Sequence, residues 1–320
     1  MAILSALTPL FSVSKIFGAA PFRFSASNTV LDLAYTKIFI ACNFLLRICI
    51  FIADRDDLIL ISNISTTISA VVDTFCFEFL CFFSYIWVLY NCKEILVLLR
   101  RFDRLSLLRL LSKKDLKKIY IHSFIFVTFY NFLNLANFIN TLFNSFPWDF
   151  ISFISTFHDF FYSLLPLHLN LQFIFLVGVL SMCYDKLVCK VKLYLKHINH
   201  AERQIYYKRF LKEEKIDILS SCQKFSEVSG YIQELAQDLN NCFSFISLIS
   251  IAYSFVDSLY AVYFSYFVGL VPLLSFSLWI SYVQIKVLAT VIVCSSMKRK
   301  VSVAERIYYY RSTYKDVSIF

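Results

Sequence analysis

Six long apolar runs constrain the fold of this chain more than any other feature of its sequence. They cover approximately residues 35–53, 65–90, 119–143, 150–182, 242–267 and 270–296. A helix needs about 20 apolar residues to cross the hydrocarbon layer of a membrane, whereas a barrel strand needs about ten alternating ones. In lipid, a single segment satisfies its backbone polar groups only as a helix. We therefore predict an all-α fold, one polytopic membrane domain over residues 1–320 with six transmembrane helices.

The composition excludes a soluble globular protein. Of the 320 residues, 59% are hydrophobic, 17% are charged and 36 are Phe, whereas a soluble domain is about 45–50% apolar and about 25% charged. One soluble core cannot bury that much apolar side chain. Because the chain has only four Gly and five Pro, we expect few kinked or broken helices.

The lysines and arginines distinguish the two sides of the predicted bundle. Residues 92–118, 185–238 and 297–320 hold nine, ten and six of them, whereas the loop at 54–64 holds one, Arg55. Lys and Arg that flank membrane spans stay on the cytoplasmic side. We therefore predict that both termini and the two long basic segments are cytoplasmic. The net charge of +9 is thus a topology signal and does not indicate nucleic-acid binding.

The predicted first outer loop contains a candidate glycosylation site. Asn63, Ile64 and Ser65 form the acceptor tripeptide for N-linked glycans. Its place in an outer loop agrees with the orientation that the basic residues indicate, although it lies close to the start of the second span. Asn63 is therefore a candidate glycan acceptor.

Apolar residues recur every three or four positions after the fourth span and before the fifth. The first series is Leu187, Val191, Tyr194 and Ile198, and the second is Leu219, Cys222, Phe225, Val228, Ile232, Leu235 and Leu239. This spacing predicts amphipathic helices that continue into the cytoplasm and pack against each other. The alternative is a helix lying on the lipid surface. Between the two series, the polar segment 211–217 is predicted to form the turn. We expect the sixth helix to extend into the cytoplasm as well.

Four segments, in this order and with this topology, resemble one protein family. They are "SKIFGAAPFRF" (14–24), "LQFIFLVGVLSMCYDKL" (171–187), "LAQDLNNCFSFISLISIAYSFVDSLYAVY" (235–263) and "VIVCSSMKRKVSVAERI" (291–307). The chain resembles the insect gustatory receptors, relatives of the insect odorant receptors. The resemblance spans roughly residues 5–307.

The resemblance implies a taste receptor subunit of the plasma membrane, a homo- or hetero-tetrameric, ligand-gated cation channel. Its ligand, a small-molecule tastant, enters an outward-facing pocket among the helices. In the family the N-terminus is cytoplasmic, cytoplasmic helix ends form an anchor domain, and a seventh helix lines the pore.

The C-terminal stretch "STYKDVSIF" (312–320) invites comparison with the family's last helix, which carries Thr-Tyr, five apolar residues and then Gln-Phe. Here Lys315 and Asp316 follow Tyr314 directly, and no Gln precedes Phe320. The expectation is that the final pore helix is absent from this chain, and that the chain by itself does not conduct as a homomer.

An amide stripe runs along the third span, where Asn131, Asn134, Asn137 and Asn140 recur at steps of three. Steps of three keep neighbours on one helical face. Amides facing lipid are costly, so this face should point at protein or water. Two interpretations stay open: hydrogen bonding between helices, or lining of a ligand pocket by the outer members, Asn137 and Asn140.

Ionisable residues within the spans are candidates for function, because charge is expensive in hydrocarbon. They include Asp73, Glu78, His158, Asp159, His168, Asp257 and Lys286. Carboxylates beside aromatic rings suit a polyhydroxylated or cationic ligand. We therefore predict a ligand-binding site from outer-half residues of several helices, Asp73, Asn137, His158, Asp159, Asp257, Tyr260 and Trp279. The alternative is polar pairing that fixes the register of the helices.

Two further sets of residues bear on other function classes. Lys286 lies deeper than the site residues, and two arrangements stay open for it: its amine snorkels towards the membrane surface, or it pairs with Glu78. His197 and His200 lie three residues apart, but this pair alone does not indicate a metal site, so we predict no metal, no cofactor and no enzyme activity. A membrane transporter of a small solute is the alternative function, although the sequence shows neither repeated halves nor Gly- or Pro-broken helices.

Overall fold

The computed structural model describes residues 3–24, 29–31, 33–53, 64–108, 110–144, 150–204, 211–263 and 273–317. Two short helices come first, α1 (Ile3–Ala6) and α2 (Thr8–Ile16), followed by an antiparallel hairpin of β1 (Phe22–Phe24) and β2 (Thr29–Leu31). Six long helices follow: α3 (Leu33–Ala53), α4 (Ile64–Leu107), α5 (Lys113–Asn144), α6 (Phe150–Gln204), α7 (Leu211–Tyr263) and α8 (Leu273–Val317). Apart from the hairpin the described fold is helical, and the predicted all-α membrane bundle is confirmed.

Five of the long helices are long and apolar enough to cross a membrane. Among the described residues these stretches are Leu33–Ile50, Thr74–Leu105, Lys113–Phe143, Phe153–Leu193 and Lys224–Tyr263, one in each of α3 to α7. The predicted sixth span falls on α8, part of whose side chains lie outside the described ones. That span and the boundaries of all six stay predictions. Residues 264–272, with the predicted reversal between the last two spans, lie outside the description.

The long helices continue past the predicted spans, as expected for α6, α7 and α8. The turn predicted at residues 211–217 is wrong, because α7 already begins at Leu211. The segment "LKEEKID" contains no Gly, Pro or Asn, and Leu, Lys and Glu are good helix formers. Glu213 and Glu214 also lie near the positive end of the helix dipole, which favours a helix start here.

The extension of α4 to Leu107 was not predicted. Its buried residues Ile95, Leu99, Phe102 and Leu105 recur at helical spacing, a signal obscured by the basic residues between them. They share one core cluster with Ile232, Leu235 and Leu239 of α7 and Leu187 of α6. The predicted apolar stripe of α7 is therefore buried within the bundle over residues 232–239, and the alternative of a helix lying on lipid is wrong there.

One arginine joins the α4 and α7 extensions. The guanidinium of Arg101 pairs with Glu234 at 3.1 Å and with Asp238. The Tyr231 hydroxyl donates to the Arg101 carbonyl oxygen at 2.9 Å, and the guanidinium lies 5.5 Å from the centre of the Tyr231 ring. These polar contacts fix the register of two helices whose apolar faces alone would tolerate sliding.

The N-terminal segment lies inside the bundle. Ile3, Ala6, Leu7, Leu10 and Phe11 are buried, and α1 and α2 pack against α4, α5 and α6. The side-chain amide of Gln172 donates to the Ala19 carbonyl oxygen at 2.9 Å. Gly18 has a φ of 72°, and a Cβ at this position would lie 2.9 Å from the Phe39 ring. Glycine is therefore required where this segment turns beside α3.

His168 anchors this segment through a short hydrogen-bond chain. Its Nδ1 lies 3.2 Å from the Ser14 hydroxyl, and its Nε2 lies 3.3 Å from Oδ1 of Asn131. The Asn131 Nδ2 donates to the Val127 carbonyl oxygen, so its Oδ1 is the end that accepts. Nε2 therefore carries the proton, and Nδ1 accepts from Ser14. His168, a candidate for function from the sequence, is a buried structural residue, and Asn131 acts as helix–helix contact.

We expect His168→Phe to lower the melting temperature of the purified chain in detergent. The change retains a ring against Phe17 but leaves the buried Ser14 hydroxyl and the partly buried Asn131 amide without the partner they share, at a cost of about 1–3 kcal/mol. Ser14→Ala should cost less when added to His168→Phe than when made alone, because the two residues share one interaction. Additive effects, or an equal effect of the exposed control Ser12→Ala, would contradict the hydrogen-bond chain.

Candidate functional site

A polar cavity of about 240 Å³ lies among α4, α5, α6, α7 and α8. Its charged and amide side chains are Asn134, Asn137, Asp159, Asp257 and Lys286, its hydroxyl residues are Thr141, Thr156 and Ser163, and its rings come from Phe77, Phe138, Phe160 and Tyr253. Leu80, Leu167 and Pro166 complete the wall. Because Pro166 has no N–H, the helix leaves the Tyr162 carbonyl without its usual donor beside this cavity. Five helices therefore contribute to one site that mixes polar groups with aromatic faces.

Two charges of opposite sign are buried in this cavity. Asp257 of α7 is 5% exposed, and Lys286 of α8 is 8% exposed. They lie close enough to interact electrostatically. In a site shielded from water such an interaction is stronger than at a surface. Asp257 can supply a hydrogen-bond acceptor, and Lys286 a donor, to whatever occupies the cavity.

Asp159 belongs to the cavity wall and to a charge cluster beside it. Arg47 of α3 pairs with Asp159 of α6 at 2.9 Å and also with Glu78 of α4. Of the two arrangements open for Lys286, the pair with Glu78 is wrong, because the partner of Glu78 is Arg47. A guanidinium presents several donors in a planar fork and can therefore serve two carboxylates at once.

Arg47 is the residue that sequence reasoning missed. It lies in the apolar run at 35–53, where a lone arginine should have indicated a buried acidic partner. Its identity as a bridge between Glu78 and Asp159 could not be found from spacing, since the three residues belong to three different helices. The aromatic residues of the wall could not be predicted for another reason. The chain contains 36 Phe, so the position of an individual ring in the sequence does not distinguish a cavity residue from a packing residue.

His158 faces α3 instead of the cavity. The side chain is buried, its Nε2 lies 3.2 Å from the Asn43 carbonyl oxygen, and its ring stacks on Tyr162 with centroids 5.1 Å apart. Its Nδ1 lies 3.6 Å from Oδ1 of Asp159. Of the predicted pair His158 and Asp159, only Asp159 is on the cavity wall. His158 lies next to Asp159, on the side that faces α3.

The other predicted site residues divide into three groups. Asn137 and Asp257 lie on the cavity wall with Asp159. Tyr260 is half-buried in α7 and is not among the wall residues. The side chains of Asp73 and Trp279 lie outside the described ones, as does Asn63 altogether. From the amide stripe, Asn134 and Asn137 line the cavity, whereas Asn140 does not.

The fold and the site together define a class, the polytopic helical membrane proteins with a small polar cavity inside the bundle. Within that class the comparison with known families is specific: residues 7–306 match the family described as "7tm Chemosensory receptor". The chain belongs to this family. The resemblance to chemosensory receptors is thereby confirmed, and the family is one of receptors, not of enzymes. A search of curated proteins found no match to the chain.

Removing the arginine of the charge cluster should destabilise the bundle. Arg47→Met leaves Glu78 and Asp159 as two neighbouring carboxylates in a partly buried site, and breaking a buried pair costs about 3–5 kcal/mol. We expect a clear loss of folded protein and of melting temperature. The double variant Arg47→Met/Glu78→Gln also removes one of the two carboxylate charges. It should therefore recover part of the lost melting temperature.

The control for this prediction is Arg104→Met, which makes the same substitution at an exposed arginine of α4. It should leave the melting temperature nearly unchanged. A stable Arg47→Met chain, or one that Glu78→Gln does not rescue, would show that the cluster does not hold α3, α4 and α6 together.

Proposed function

We propose that this chain is a taste receptor subunit of the plasma membrane, forming a ligand-gated cation channel that senses a small-molecule tastant. The observation that carries the proposal is the cavity bounded by Asp159, Asp257 and Lys286. Membership of the chemosensory receptor family supports a ligand-sensing role. The resemblance to insect gustatory receptors supports the finer assignment to taste, to a channel and to a homo- or hetero-tetramer.

The chemistry of the wall favours a polyhydroxylated or cationic ligand. The cavity and its adjoining cluster hold three carboxylates, Glu78, Asp159 and Asp257, against two cations, Arg47 and Lys286. One negative charge is therefore in excess, and hydroxyl or ammonium groups of a ligand can donate to it. The rings of the wall can cover apolar faces or a cation. The volume lies below the about 300–1,000 Å³ of drug-sized sites, which favours a small ligand.

Asp159 couples ligand binding to the packing of the helices, because it lines the cavity and also pairs with Arg47. A ligand that donates to Asp159 competes with Arg47, which joins α3 to α4 and α6. Weakening that contact changes the relative stability of the helix arrangements, and a ligand shifts such an equilibrium by its difference in affinity for the two states. In this proposal the Arg47 bridge holds the resting arrangement, and ligand binding releases it.

Neutralising a cavity carboxylate should reduce ligand sensitivity. We expect Asp257→Asn to raise the concentration for half-maximal current about tenfold or more, since a lost charged hydrogen bond costs about 1.5–3 kcal/mol. Asp159→Asn removes a ligand contact and also the Arg47 partner, so it should change both the half-maximal concentration and the current without ligand. His158→Gln should have a smaller effect, because this residue acts through Asp159. The measurement is the cation current of the receptor co-expressed with related subunits and exposed to sugars and organic amines.

The exposed acid Glu94 provides the control, and Glu94→Gln should leave the response unchanged with equal surface expression. Unchanged dose-response curves for both aspartate variants would refute the site. Saturable uptake of the same compounds without a current would favour the alternative function, a transporter.

The proposed orientation places both termini and residues 185–238 in the cytoplasm. It is supported by the basic residues that flank the spans on that side. Epitope tags at residue 1 and within 205–210 should therefore bind antibody only after the cells are permeabilised. Labelling of either tag on intact cells would overturn the orientation, and with it the outward opening of the cavity.

A further inference from the structure

Four lysines form a basic collar on the first two turns of α5. Lys113, Lys114, Lys117 and Lys118 are all exposed. Residues four apart are neighbours on a helix surface, so the pairs 113/117 and 114/118 lie side by side. Positive charge near the N-terminus of a helix opposes the helix dipole. These lysines therefore do not stabilise α5 through its dipole, and beyond marking the predicted cytoplasmic side they are free to attract an anion.

The acid within this segment does not neutralise the collar. Asp115 is 8% exposed and closes a capping box with Ser112: its Oδ2 accepts from the Ser112 amide at 3.0 Å and from the hydroxyl at 2.6 Å. The Ser112 hydroxyl lies 3.2 Å from the Asp115 amide nitrogen. The other carboxylate oxygen of Asp115 pairs with Lys186 of α6 at 2.9 Å.

Both carboxylate oxygens of Asp115 are thus already paired, one with Ser112 and the other with Lys186. Among the described side chains, none of the four collar lysines has a carboxylate within ion-pair distance. Four positive charges consequently face outwards together, with no counterion supplied by the part of the protein that the structure describes.

The same face of α5 continues as an apolar surface. Tyr120, Ile121, Phe124 and Ile125 follow the collar at helical spacing and are 40–57% exposed. Exposed apolar side chains on a membrane-spanning helix face lipid tails, and Tyr is enriched at the level of the headgroups. The collar precedes Tyr120 on the same helix, so a membrane that covers the apolar face would bring its headgroup phosphates to the level of the collar.

We propose that the α5 collar is a binding surface for the phosphate groups of anionic phospholipids. Clusters of four to eight basic residues next to a membrane helix attract such lipids, and here the partner is selected by uncompensated charge directly above a lipid-facing band. The inference goes beyond the proposed sensing function and does not involve the ligand cavity.

The test uses the full chain in neutral detergent and the short-chain lipid dioctanoyl phosphatidylinositol 4,5-bisphosphate. We expect saturable binding of this lipid, measured by native mass spectrometry, and much weaker binding of dioctanoyl phosphatidylcholine. Replacing all four lysines by Gln should weaken binding about tenfold or more, whereas replacing them by Arg should preserve it. The melting temperature of each variant reports whether it is folded.

A matched control removes four exposed basic residues elsewhere. It carries Gln at Arg104, Lys192, Lys196 and Lys224, and it should bind the lipid as the unmodified chain does. If the quadruple collar variant does not fold, the two pairs Lys113→Gln/Lys114→Gln and Lys117→Gln/Lys118→Gln replace it, and each should give an intermediate loss.

Three results would overturn the proposal. The collar variants could bind the lipid with unchanged affinity, or the control variant could lose as much, which would assign binding to overall charge. Inositol 1,4,5-trisphosphate, which has the headgroup without the lipid, could also bind as tightly as the lipid; the collar would then be a site for a soluble anion.

Discussion

A polar side chain inside this bundle must find its partner within the protein, because lipid offers none. That constraint connects features that are distant in sequence. Arg47 satisfies two carboxylates on two other helices, and His168 satisfies one group on α2 and another on α5. Each such contact joins three segments at one point. Since apolar packing in a membrane is only weakly directional, these few contacts define which helix faces meet.

The N-terminal segment shows how far this constraint extends. α1 and α2 are too short to cross a membrane, yet their apolar residues are buried among α4, α5 and α6. Ser14 and the Ala19 carbonyl are tied to His168 and Gln172 of α6. The segment is therefore held in the bundle by the burial of its apolar residues together with these two polar contacts.

The sequence was sufficient for features that rest on local pattern. Apolar run length predicted the membrane bundle, and the spacing from Ile232 to Leu239 predicted the buried stripe of α7. The extension of α4 was not predicted, because lysines and arginines interrupt its series of apolar residues. Asn137 was predicted as a site residue from the amide stripe, and Asp159 and Asp257 from their depth in the outer half; all three line one cavity. The bridging role of Arg47 and the orientation of His158 towards α3 could not be predicted, since both depend on which helices become neighbours.

The central claim is that the cavity beside the Arg47 cluster binds the ligand. It is tested most directly by placing a reactive group on the wall, as Ser163→Cys, and measuring by peptide mass spectrometry how fast that cysteine reacts with a small methanethiosulfonate reagent. A compound that evokes current should slow the reaction at residue 163, and should leave the exposed native Cys189 unaffected. An active compound that leaves the rate at residue 163 unchanged at saturating concentration would contradict the claim.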